Sequence, residues 1–215
     1  NRADGDVLYT ITFSEAVSGF VADDVSVVNG TKGAFTKVSD SVYTLAVTPA
    51  GTGAITVDVA ANAGADAAGN GNTIALTNTQ AVDIVAPGTP AFTSATLTKV
   101  SAPTIAGTAE AGATVTVNVG GATYTTTAAE GTGIWGVNLS TATVSSGVLN
   151  LNTNGSNAVT VTARDAAGNV SQSAEQVLVI DTTAPGVTIT DDVLGATANR
   201  ADGDVLYTIT FSEAV

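Results

Sequence analysis

Residues 1–17, N-R-A-D-G-D-V-L-Y-T-I-T-F-S-E-A-V, recur without a single change at 199–215, 198 residues further along the chain. Repetition at a fixed period constrains a fold more than any local propensity does, because each unit must close its own core or share one with its neighbours. The identity predicts a protein built from near-identical 198-residue units in tandem. A weaker repeat halves that unit. D-A-A-G-N stands at Asp66–Asn70 and again at Asp165–Asn169, and D-x-x-A-P-G stands at Asp83–Gly88 and again at Asp181–Gly186. Two sister domains of about 99 residues, a common domain size, account for both spacings.

The boundaries follow from the prolines. Ala86–Gly88 and Ala184–Gly186 read as short linkers, stiffened by a residue that cannot continue a strand ladder. The expected organisation is a first domain over 1–85, a second over 86–183, and the opening strands of the next copy over 184–215. The tail begins with V-T-I-T at 187–190, an evident strand, and 1–17 has no counterpart of it. Two explanations stand. The chain is a window onto a continuous array, or the tail strand of one molecule completes the first domain of the next, head to tail.

Alternation of period two runs through both halves. Val7, Tyr9, Ile11 and Phe13 share one face, and 42–47, 55–59, 114–119, 123–127, 134–139, 158–162 and 176–180 read as further strands between Gly, Asn, Asp and Ser clusters. Small β-branched residues suit a pleated, half-buried surface. The predicted fold is all-β: tandem immunoglobulin-like β-sandwiches, about seven short strands each. Trp135, the only tryptophan, is expected in a core.

Composition narrows the chemistry. The chain has no Cys, His or Met, so Ser-His and Cys-His dyads are impossible and the usual zinc sites are excluded. Stability cannot come from disulfides. With 19 acidic and 6 basic residues the net charge is −13, which disfavours nucleic acid and anionic membranes. No apolar run is long enough to insert in a bilayer. The fitting partner for an acidic surface without soft ligands is a hard cation such as Ca²⁺.

The motifs G-T-A-E-A-G-A-T-V-T-V at 107–117, V-T-A-R-D-A-A-G-N at 161–169 and V-I-D-T-T-A-P at 179–185 resemble bacterial Ig-like repeats. F-S-E-A-V-S-G-F-V-A-D-D-V-S-V-V-N-G at 13–30 is similar to a related Ig-like type. Both types occur in the large calcium-dependent RTX adhesins of Gram-negative bacteria. The resemblance implies an extracellular protein at the bacterial surface, exported by type I secretion, whose repeats form a stalk for surface attachment or biofilm formation. It also implies calcium at the domain junctions. The RTX nonapeptide itself is absent from the chain.

Candidate ligands are all acidic. The linker aspartates Asp83 and Asp181 lead, followed by Asp66 and Asp165 of the D-A-A-G-N turns, where Asx-turn geometry alone is the alternative reading. Glu110 is grouped with Asp66 and Asp83, on the resemblance. Glu15 and its repeat Glu213 occupy F-S-E-A-V, and Glu213 is grouped with Asp165 and Asp181. Asp4 and Asp6, repeated as Asp202 and Asp204, have D-x-D spacing and join Asp191 or Asp192 as a weaker candidate beside a plain charged hairpin turn. The expected function is an extender of a surface adhesin whose partners are neighbouring repeats. A sugar- or protein-binding module is the alternative, which a contiguous aromatic patch would favour. Catalysis by paired carboxylates is not expected, since an active site gains little from copy number.

Overall fold

The computed structural model describes residues 5–192 and 204–214. Among these there is no α-helix, only a short 3-10 turn at Ala22–Asp24, and no helix long and apolar enough to cross a membrane. The chain forms two sandwiches, each with its own core, and a separate hairpin.

In the first sandwich β1 (Val7–Thr12), β4 (Val42–Pro49) and β3 (Gly30–Lys37) form one sheet in the order β1-β4-β3. The other contains β2 (Val25–Val28), β5 (Gly53–Val59) and β6 (Asn78–Val82) in the order β2-β5-β6. All pairings are antiparallel. Alternate residues Tyr43, Leu45 and Val47 of β4 meet Ile55, Val57 and Val59 of β5 in one buried cluster, which is the burial that period-two sequence dictates. Phe13, Phe20, Phe35 and Tyr43 add a network of rings 5.0 to 5.9 Å apart, mostly edge-on. The chain changes sheets between β2 and β3 at a single residue, Asn29, whose φ of 56° is left-handed. Its amide holds the turn by donating to the Gly51 carbonyl. Gly30 follows because a Cβ there would run into the Val47 side chain.

The second sandwich is larger. One sheet has the order β12-β9-β7, from β7 (Ala91–Phe92), β9 (Thr104–Thr108) and β12 (Ile134–Asn138). The other has the order β13-β11-β10-β14-β15-β8, from β8 (Leu97–Thr98), β10 (Thr114–Val119), β11 (Ala122–Thr127), β13 (Ser146–Gly147), β14 (Asn154–Arg164) and β15 (Ala174–Asp181). The first-strand region is thus split: β7 pairs antiparallel with β9, and β8 parallel with β15. Trp135 is 2% exposed and lies in the core, as its sequence context predicts. Its ring covers Gly107, where any Cβ would meet the indole and the Ala91 carbonyl.

Beyond the second sandwich, β16 (Val187–Asp191) and β17 (Tyr207–Phe211) pair as an antiparallel hairpin, with Val187 opposite Phe211 and Asp191 opposite Tyr207. Every residue of both strands is exposed.

Candidate functional site

The two D-A-A-G-N turns fold alike. Asp66 Oδ1 accepts the main-chain N–H of Ala68 and Asn70, and its Oδ2 accepts the Asn70 amide. Asp165 Oδ1 accepts the N–H of Gly168 and Asn169, at 2.6 and 2.8 Å, and its Oδ2 accepts the Asn169 amide at 2.7 Å. Both carboxyls are held below the usual carboxylate range. For Asp66 the side-chain bond from Asn70 leads. For Asp165 desolvation pushes upward, and the bonds from Asn169, Gly168 and Ala167 together outweigh it. Each turn is an Asx turn in its own right, and each carboxylate retains acceptor capacity after these bonds.

The linkers fold alike too. Asp83 Oδ1 accepts the N–H of Val85 and the hydroxyl of Thr52, and Asp181 Oδ1 accepts the N–H of Thr183.

Strand direction decides which of these features meet. Asp66 follows Val59 at the end of β5, whereas Asp83 follows Val82, which pairs with Gly53 at the start of β5. A seven-residue strand separates them by about 20 Å. Asp165 likewise follows the end of β14, and Asp181 pairs with Asn154 at its start, about 30 Å away at strand rise. The grouping of each turn with the linker of its own domain is therefore corrected: the last strand carries the linker to the far end of the sandwich.

The structure instead joins each linker to the following domain. Asn169 Nδ2 donates both to Asp165 Oδ2 and, at 3.1 Å, to the main-chain oxygen of Asp83. One amide thus bridges a turn carboxylate and a linker carbonyl that lies 86 residues before the asparagine. The same end of the second sandwich carries Glu110, because Thr108 pairs with Ala91 just past the linker and Thr114 pairs with Arg164 beside Asp165. Glu130 belongs there as well, since its carboxylate lies against Gly112; nothing in its spacing singled it out. Asn169 was legible only as turn chemistry, and its second bond depends on the linker's path.

Glu15 and Asp66 border one cleft of about 430 Å³, with Ile11, Phe13, Asn70 and Ile74. Glu213 follows Ser212, which exchanges two hydrogen bonds with linker residue Gly186, so it lies beside the linker that begins at Asp181. Asp165 is not part of that group. Asp6 accepts the Thr48 hydroxyl, and Asp192 accepts the Leu206 N–H at the hairpin turn. Asp191 is the last residue of β16. Asp4 and Asp202 lie outside the described residues. Among the described residues no three Asp or Glu side chains are gathered as a ready-made cation cage. The junction supplies hard oxygens on two adjoining segments.

Asn169 is 8% exposed, while Asn70 is exposed. Asn169→Ala therefore strands the Asp83 carbonyl as well as the turn. It is expected to cost the second sandwich about 1–3 kcal/mol, the range for unpairing a buried polar group. Asn70→Ala is expected to cost the first less, since water replaces its one partner. Urea melts of the two variants check the order.

Of the aromatic side chains in the two sandwiches, Tyr9, Tyr43, Tyr124, Phe20 and Trp135 are buried, and Phe13, Phe35 and Phe92 are half-buried.

No curated protein matches the chain. Among solved structures, a match is the SGBP-B protein of the Bacteroides ovatus mixed-linkage glucan utilization locus, in complex with a mixed-linkage heptasaccharide, at 13% identity and a TM-score of 0.26. It covers 92% of this chain, which spans about half (48%) of that one. Two different family models, each described as bacterial Ig-like domain, match residues 2–84 and residues 77–182. From residue 2 to residue 182 the chain therefore belongs to the bacterial Ig-like domains, two of them in tandem.

Proposed function

We propose that the chain is an extender segment of a secreted bacterial surface adhesin, a stalk that holds a distal ligand-binding tip away from the cell and that calcium stiffens at the domain junctions. The observation that carries this reading is the bond from the Asn169 amide to the Asp83 carbonyl, which ties the linker of one sandwich to a turn of the next. Repetition supports it, since a stalk gains length with every copy and a catalyst or receptor site does not. Bacterial Ig-like domains are common in surface and extracellular proteins, and they are typically structural modules without enzymatic activity.

The donor set suits the ion. Ca²⁺ takes six to eight oxygens from carboxylates, carbonyls and water, and flexible geometry is tolerated. Asp83, Glu110 and Asp165 would hold it at the middle junction. Glu15 and Asp66 would do so at the front of the first sandwich, and Asp181 and Glu213 at the following linker. Asp4, Asp6, Asp191 and Asp192 form a weaker candidate near the hairpin turns. When bound, the ion neutralises carboxylates that otherwise repel each other across the seam. The protein's own part is to pre-orient them: the Asx turns fix Asp83 and Asp165, and the Asn169 amide already spans the gap. Type I secretion and a biofilm context belong to the same reading.

Isothermal titration tests it. Calcium is expected to bind with dissociation constants of roughly 10⁻⁴–10⁻³ M, the range of extracellular modules. The double variant Asp83→Asn, Asp165→Asn should lose one class of site, and Asp40→Asn, whose carboxylate pairs with Lys37 away from the junction, should lose none. Equal heats from all three chains would refute the assignment.

A further inference from the structure

The entry strand of the second sandwich is shared between its two sheets. β7 pairs antiparallel with β9, where Ala91 and Phe92 face Thr108 and Gly107, and the Thr93 and Ser94 N–H groups both donate to the Ala106 carbonyl. The chain then crosses to the other sheet as β8, which lies at the margin beside β15. There Val179 pairs with Leu97 and Ile180 with Thr98, and the Val179 N–H donates to the Thr96 carbonyl at 2.7 Å. The Gln176 amide reaches the Ala95 carbonyl at 3.5 Å. Among the described strands this pairing alone is parallel. Direction matters under tension. The chain enters this sandwich before β7 and leaves it after β15, so a pull along the chain draws β8 by its leading end and β15 by its trailing end. In a parallel pair those pulls run oppositely along one axis, and the hydrogen bonds cross that axis. The bonds are loaded together and must fail together. An antiparallel hairpin pulled apart at its open end, such as β10 and β11 at Thr114 and Thr127, loses its bonds one at a time.

We propose that the β8–β15 pair is a mechanical clamp, the contact that sets how fast the second sandwich unfolds when the chain is under tension. The split of the entry strand adds to the hold. β7 is fastened to β9, and Phe92 packs edge-on against Trp135 at 6.1 Å, so the load reaches β8 only after β7 has been stripped from the opposite sheet. Forced unfolding is governed by the unfolding rate rather than by equilibrium stability, and a contact loaded in shear acts on that rate. That tension reaches this domain in the cell rests on the stalk reading. The clamp itself does not, and its test uses no metal, so failure of one leaves the other standing.

The absence of cysteine lets the pulling axis be chosen. Handles are attached to the whole chain at Ala86→Cys and Ala184→Cys, exposed linker positions on either side of the sandwich, and in a second chain at Thr114→Cys and Thr127→Cys, also exposed. Both chains are pulled at the same constant force in EGTA. The chain with linker handles should unfold more slowly than the chain with hairpin handles, a comparison that needs no change in β8. Two prolines then probe the clamp. In the Val179–Leu97 register the Thr98 N–H returns a bond to β15, whereas the Leu97 N–H points to the open margin, where proline is tolerated. Through the linkers, Thr98→Pro is expected to unfold about fivefold faster than its parent, the rate equivalent of one hydrogen bond, and Leu97→Pro at the parental rate. Through the hairpin, all three should unfold alike. Equal acceleration of Thr98→Pro along both axes would mean ordinary loss of stability and would overturn the proposal. So would a parent no more resistant through its linkers than through the hairpin, or a Leu97→Pro chain as fast as Thr98→Pro.

Discussion

Raising free calcium from chelated levels to ten times its dissociation constant is expected to lift the melting temperature of the second sandwich by about 6–11 °C. One site saturated to that degree adds about 1.4 kcal/mol by mass action, and a domain of this size shifts by about 4–8 °C per kcal/mol. The direction is set by the seam: the Asp83 linker meets the Asp165 turn, through the Asn169 amide, only when the sandwich is folded, so an ion held there would bind the native state in preference. In Asp165→Asn the shift should shrink to the level of the salt control. Sodium chloride at matched ionic strength screens the net charge of −13 without coordinating carboxylates, and should move the transition far less. Differential scanning calorimetry separates the outcomes. A shift of equal size in sodium chloride would mean screening, with no junction site.

Replacing Trp135 should have the largest effect of any single substitution in the second sandwich. The side chain is 2% exposed, stands 6.1 Å from the Phe92 ring at 70°, and pairs across the sheet with Gly107. Trp135→Ala is expected to cost about 3–5 kcal/mol, the range for emptying a large aromatic site. That is a large share of the 5–15 kcal/mol a whole domain typically possesses. Trp135→Phe separates two contributions. The buried indole N–H has no hydrogen-bond partner among the described residues, and an orphaned donor costs about 1–3 kcal/mol. Phenylalanine removes that penalty while keeping most of the ring contact, so the change should stay within about 1 kcal/mol, the span of well-tolerated volume changes. Urea unfolding followed by circular dichroism reads both, because the only tryptophan is the one removed. Equal losses in the two variants would show that the N–H is satisfied in solution.

Much of this was legible in the residues. Alternation placed β1, β4, β5, β10, β14 and β15, and the scarcity of aromatics made Trp135 a core residue. β3 was not legible. Gly33 interrupts its pattern, and the ladder shifts register between Lys32 and Phe35, so no clean period survives. The one-residue crossing at Asn29 left no loop signal to mark where β3 begins. The acidic positions were recognisable as turns and linkers, because Asx chemistry is local. Their partners were not. A spacing of 16 or 17 residues between turn and linker contains a whole strand, and a strand moves its two ends apart. Only the registers Gly53 with Val82 and Asn154 with Asp181 reveal that each linker faces the next domain. Glu130 escaped notice because it lies close to Gly112 in space across a turn, with no motif around it.

The central claim is that oxygens from adjoining segments share a cation and so fix one sandwich relative to the next. Spin labels at Thr36→Cys in β3 and Thr127→Cys in β11, both exposed positions, report that relation through electron–electron distances. The account predicts a narrow distribution in millimolar calcium and a broad one in EGTA, with Asp165→Asn broad in both. Distributions of equal width with and without calcium would contradict it.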